Sequence, residues 1–200
     1  ATEALNEHQR TLRMRGRPKI VLARSYEEAM DLYNKYQNNT LGIISDARYP
    51  REDKIDPHAG IRFLTEVRSR DPFIPLILQS AEVSNKEFAL SCGAQFIDKN
   101  SKKMNIDLRE AVSENFGFGD FIFRNPNTME EVVRVHNLKE LQNAIFSIPA
   151  ESFLYHISRN HISRWLYSRA IFPVAEFLKQ ITWESLQDIE LIARLYSRRL

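Results

Sequence analysis

Three apolar runs, each ended abruptly by a polar side chain, constrain this 200-residue chain more than any other feature. Residues 41–45 close on Asp46, with Pro50 four positions further on; residues 73–79 close on Ser80; residues 94–98 close on Lys99. Short apolar runs bounded by turn signals and separated by helical periodicity predict strands of a parallel sheet covered on both faces. In such a sheet the side chains at the carboxyl ends of the strands face the crevice where ligands bind. The three runs therefore predict one rim carrying a carboxylate, a hydroxyl and an ammonium group.

The segments between the runs fit this reading. Residues 19–23 predict a further buried strand, and Ser25 caps a helix over 26–36 with Glu27 and Glu28 in its first turn. A polar loop over 51–60 leads to a helix over 61–70, which Asp71 and Pro72 stop. A helix over 83–92 ends at Gly93, and another over 105–115 is bounded by Gly117 and Gly119. Residues 1–12 read as helix, followed by Arg13, Arg15 and Arg17, a cluster short enough to be a solvated helix end. The pattern predicts an α/β first domain over 1–116 and a smaller, mostly helical α+β unit over 117–200. In the latter, strands at 121–124 and 132–135 flank an Asn-Pro-Asn turn. Helices are expected at 138–146, 152–169 and 177–196.

Composition narrows the function classes. Net charge is +2, and residues 116–200 carry ten Lys/Arg against nine Asp/Glu, so neither the chain nor its second half has the basic excess of a nucleic-acid binder. Cys92 is the sole cysteine, which rules out an internal disulfide and suggests a reducing compartment. No run approaches membrane-span length and the first residues do not read as a secretion signal, so a cytoplasmic protein away from membranes is the expectation.

An aspartate that accepts a phosphoryl group needs positive charge beside it and a hydroxyl to bond the new oxygens. Asp46, Lys99 and Ser80 supply those types in that order. Each alone is commonly a turn, a cap or a solvated side chain. Together with Pro50 four residues after Asp46, Ala81 after Ser80 and Phe96 three before Lys99, they resemble the receiver domain of two-component response regulators. The resemblance covers roughly residues 1–116. It implies a flavodoxin-like sheet, Asp46 as phosphoacceptor, Lys99 as its counter-charge, Ser80 and Phe96 as switch residues, and a histidine kinase or phosphotransfer protein as donor. It also implies Mg²⁺, held by Asp46, the Arg48 backbone carbonyl and an acidic pair at the end of a first strand.

Two departures stand out. Asn100 replaces the proline that follows the lysine in receivers. The first strand with its acidic pair has no counterpart, since residues 19–23 align with the family's second strand and Glu3 and Glu7 fall on a helix. A chain without that pair is expected to bind Mg²⁺ and accept phosphoryl groups poorly, and to leave a vacancy beside the strand ending at Asp46.

In the second unit Ser-Arg pairs recur every five residues at 158, 163 and 168, and His156 and His161 share that spacing. On one continuous helix a five-residue step turns about 140°. The arginines would then share no face, and the histidines would be poorly placed for a common metal. Residues 149–177 look like a module that follows receivers in some large bacterial proteins with a phosphoenolpyruvate synthase or pyruvate phosphate dikinase-like domain. Three functions follow as expectations. One is a non-enzymatic receiver that accepts a phosphoryl group on Asp46 and switches the C-terminal unit. Another is a phosphorylation-independent, receiver-like regulatory scaffold of a larger phosphoenolpyruvate synthase-like protein, with a downstream enzyme domain as its partner. The third is a DNA-binding regulator using the helices around 152–169. A homo-oligomer is compatible with each.

Overall fold

The computed structural model describes residues 18–179. The expected N-terminal helix, Glu3, Glu7, the arginines at 13, 15 and 17, and residues 180–196 of the last expected helix lie outside the described residues. The chain divides into two compact units, one over residues 19–116 and one beginning at Gly117.

The first unit is mixed α/β. Helix α1 (Tyr26–Tyr36) starts at Ser25, whose Oγ accepts the Glu28 N–H at 3.2 Å. Strand β1 (Ile43–Asp46) is followed by a hairpin, β2 (Tyr49–Arg51) and β3 (Lys54–Asp56), and by helix α2 (Ala59–Arg70). Strand β4 (Leu76–Ser80), helix α3 (Asn85–Ser91), strand β5 (Gln95–Asp98) and helix α4 (Met104–Asn115) complete it. β1, β4 and β5 form a parallel sheet in the order β1-β4-β5.

The sheet separates two layers of core. Leu76 and Leu78 of β4 pack with Ala29 and Tyr33 of α1, Phe63, Leu64 and Val67 of α2, and Ala89 of α3. Between them in sequence, Ile77 turns to the opposite face and joins Ile97, Ala111 of α4 and Phe116. That alternation is the two-residue period of a strand. It explains why Leu76, Ile77 and Leu78 are all apolar, with a helix-borne layer on each side.

Residues 19–23 do not form the expected strand. Ile20 is 97% exposed, Val21 and Leu22 are exposed as well, and only Ala23 packs on the core. A strand exists through ladder hydrogen bonds to a neighbour, and among the described residues no strand pairs with this segment. The loop expected over 51–60 is instead the β2–β3 hairpin, in register Tyr49 to Asp56 and Arg51 to Lys54. Its two turn residues, Glu52 and Asp53, both have positive φ (51° and 59°). A two-residue turn of that hand ordinarily calls for Asn or Gly. Here tertiary contacts sustain it: the Glu52 N–H donates to Glu27 Oε1 at 3.0 Å. The Arg51 guanidinium lies 5.1 Å from the Tyr26 ring centroid.

In the second unit β6 (Phe121–Arg124) and β7 (Glu131–Val135) form the expected antiparallel hairpin. Helix α5 (Leu138–Ile145) follows. The single helix expected over 152–169 is two helices, α6 (Ala150–Ser158) and α7 (His161–Tyr167), broken where Asn160 takes the left-handed conformation at φ 57°. Asparagine tolerates that conformation better than most residues. The last described helix, α8 (Phe172–Lys179), begins five residues earlier than expected, with Pro173 inside its first turn, where a missing N–H costs nothing. Phe121, Phe123, Leu141, Phe153, Ile157, Trp165 and Leu166 form its core.

Gly117, the first residue of this stretch, is tightly packed within its own unit. Gly117 has φ 84°, and a Cβ there would lie 3.0 Å from the Trp165 Cα. Arg169 stacks on the Trp165 ring at 3.6 Å and donates to the carbonyls of Gly117 (2.7 Å) and Gly119 (2.8 Å). No helix among the described residues is long and apolar enough to cross a membrane.

Candidate functional site

Asp46, Ser80 and Asp98 are the last residues of the three parallel strands, and Lys99 directly follows the third. Neighbouring strands lie about 4.8 Å apart, so β1 and β5, with β4 between them, are separated by roughly 10 Å. A lysine is long enough to cross that gap, and Lys99 does so: its Nζ is 2.7 Å from Asp46 Oδ1. The side chains of Asp46 and Lys99 are 48% and 35% exposed. A pair this accessible contributes only about 0–1 kcal/mol to stability.

Ser80 is buried at the same end of the sheet. The Lys99 N–H donates to its carbonyl at 2.9 Å, and its Oγ accepts from the Glu82 N–H (3.0 Å) and from Asn85 Nδ2 (2.9 Å). Asn100, the departure from the receiver pattern, donates through Nδ2 to the Ala81 carbonyl at 2.8 Å and thereby ties the turn after β5 to the turn after β4. Phe96 is half-buried and packs on the α1–α2–α3 side of the sheet. Arg48 is exposed just beyond β1.

The β1–α2 connection is pinned from beneath. The Gly60 N–H donates to the Ala47 carbonyl at 3.0 Å, and a Cβ at Gly60 would fall 1.8 Å from the Asp46 carbonyl oxygen. Only glycine permits this approach. Ser45 Oγ donates to the same Asp46 carbonyl at 2.9 Å. Beside it the Tyr49 hydroxyl is pushed up to about 12 by burial, with the Ser45 hydrogen bond opposing, so it stays protonated.

Mg²⁺ takes oxygen ligands in octahedral geometry, and the described residues on this rim do not by themselves make up that set. Asp46 offers one carboxylate and it is committed to Lys99. No group of three or more His, Cys, Asp or Glu side chains is placed to hold a metal among the described residues. Among the described residues this rim carries the Asp46 carboxylate, the Lys99 ammonium and the Ser80 hydroxyl, with Asp98 ending the third strand.

The second unit holds a polar cluster that the spacing argument dismissed. Because the chain breaks at Asn160, His156 and His161 meet, with their Nδ1 atoms 3.0 Å apart. His156 Nε2 accepts the Arg124 backbone N–H of β6 at 2.9 Å. That bond leaves no hydrogen on Nε2, so the neutral His156 ring carries it on Nδ1 and donates to His161 Nδ1. Both rings are thus committed as a relay and not as metal ligands. Burial, then the Arg124 and Arg159 charges, hold His156 down at about 4; burial foremost also lowers His161.

The arginines of the same stretch form no stripe. Arg159 stacks on Tyr155 at 4.2 Å, Arg164 is buried, and Arg169 is spent on Trp165 and two carbonyls. Sequence reasoning missed Asn85 and the histidine relay. Asn85 carries no motif, and the relay depends on one left-handed residue.

No model of a known protein family matches the chain, and no characterised protein matches it.

Proposed function

We propose that the unit over residues 19–116 is a receiver-like signalling module in which Asp46 accepts a phosphoryl group from a phosphohistidine donor. The 2.7 Å contact between Asp46 and Lys99, made across an intervening strand at the carboxyl end of a parallel sheet, is the observation that carries this reading. In the transfer an Asp46 carboxylate oxygen attacks phosphorus. The phosphorus–nitrogen bond breaks, the imidazole leaves with the electron pair and regains a proton, and an acyl phosphate forms on Asp46. Lys99 then pairs with a phosphoryl oxygen in place of the carboxylate, and Ser80 donates to another. The flavodoxin-like order belongs to the same proposal. So does the role of the unit beginning at Gly117 as the element that is switched.

Incubation with phosphoramidate followed by intact-mass measurement tests it. With Asp46 already paired to Lys99, labelling is expected to be slow. It should disappear in Asp46→Asn and fall steeply in Lys99→Ala, while Lys99→Ala shifts unfolding free energy by no more than about 1 kcal/mol. Labelling that persists in Asp46→Asn refutes the assignment. Asn100, standing where receivers carry proline and tied to the Ala81 carbonyl, favours a second reading, a phosphorylation-independent scaffold. An unlabelled wild type whose partner binding survives Asp46→Asn would support that one.

A further inference from the structure

A serine hydroxyl has two acceptor lone pairs and one hydrogen to give. At Ser80 both lone pairs are filled, by the Glu82 N–H at 3.0 Å and by Asn85 Nδ2 at 2.9 Å. The only capacity left is donation. The backbone of the same residue is fixed as well, because its carbonyl accepts the Lys99 N–H and Asn100 holds the carbonyl of Ala81. Asn85 is 2% exposed. Burying a carboxamide costs free energy unless its groups are bonded, so its placement against one hydroxyl calls for a reason.

We propose that Asn85 is a positioning residue: by occupying the second lone pair of Ser80 it makes that hydroxyl an obligate donor and tunes the rim for an anionic oxygen. The proposal rests on the receiver reading, in which that oxygen belongs to a phosphoryl group on Asp46. A hydroxyl with an open lone pair can turn to accept from water or from Lys99. One whose lone pairs are both filled meets the arriving anion with its hydrogen already oriented, and no rotor freedom is lost on contact. The bond is charge-assisted, which makes it worth about tenfold in the labelled population.

Asn85→Asp provides the test, since it keeps the shape and reverses the polarity. The new carboxylate accepts the Ser80 hydrogen and withholds it from the phosphoryl group. With phosphoramidate as donor and mass spectrometry as readout, Asn85→Asp and Ser80→Ala should each lower the steady-state labelled fraction about tenfold. The double variant should be no worse than either, a non-additivity that general destabilisation does not produce. Asn85→Ala, which removes the amide without adding an acceptor, should lose less than Asn85→Asp, and it carries the test if the carboxylate variant does not fold. Labelling in the variants equal to wild type, or additive losses in the double variant, overturns the role of Asn85 and leaves the receiver reading standing. A wild type that takes no label overturns both.

Discussion

Lowering the pH should loosen the second unit, because His156 is folded as a neutral ring. Its value drops from 6.5 to about 4 on folding. At 1.36 kcal/mol per unit this corresponds to about 3 kcal/mol, or a few hundredfold in the folding equilibrium. The sign follows from proton counting: between the two values the unfolded chain binds a proton that the folded unit refuses. The stabilisation is complete above about 6.5 and is lost as pH falls towards 4, below which both states are protonated. His161, lowered in the same direction, adds to the loss. His136 acts oppositely, since its bond to Asp120 at 2.9 Å raises it and its contribution grows on acidification, but it is more than half exposed and its effect is small.

Both tryptophans, Trp165 and Trp183, lie after residue 117, so tryptophan emission during urea unfolding reports this portion of the chain alone. Unfolding free energy should drop by about 3 kcal/mol between pH 7 and pH 4. His156→Gln, whose amide oxygen can accept the Arg124 N–H without titrating, should remove most of that slope. An unchanged slope in the variant, or a proton NMR titration of His156 with an ordinary imidazole midpoint in the folded protein, would refute the relay.

Two further substitutions probe what positions the first site. Arg68 donates to the carbonyls of Cys92, Gly93, Asp71 and Pro72, so Arg68→Ala should cost about 2–3 kcal/mol in urea unfolding, and lysine should not rescue it. Gly60→Ala forces a methyl into the Asp46 carbonyl and should cost about 1–3 kcal/mol, with amide shifts in NMR spectra centred on residues 45–47. A melt unchanged by either substitution would contradict the contacts described.

The rim was readable because short-range chemistry encodes it. An apolar run stopped by a polar residue marks a strand end whatever surrounds it, and Asp46, Ser80 and Lys99 stand at or next to those ends. Helix starts and stops were legible for the same reason, as at Ser25 and Gly93. The β2–β3 hairpin was not, since Glu52 and Asp53 are poor choices for its turn and contacts from Glu27 and Tyr26 hold it there. The strand expected at residues 19–23 failed for the complementary reason: the side chains suit a strand, but strand identity needs a partner.

What the order of residues settled alone was therefore local: where apolar runs begin and end, which helices can start, and that charge is balanced. Tertiary structure decided the rest, namely that Lys99 crosses β4 to reach Asp46, that Asn85 completes Ser80, and that one left-handed asparagine joins two histidines. Propensities and periods act over a few residues, whereas each of these contacts joins groups whose meeting depends on how the chain turns between them.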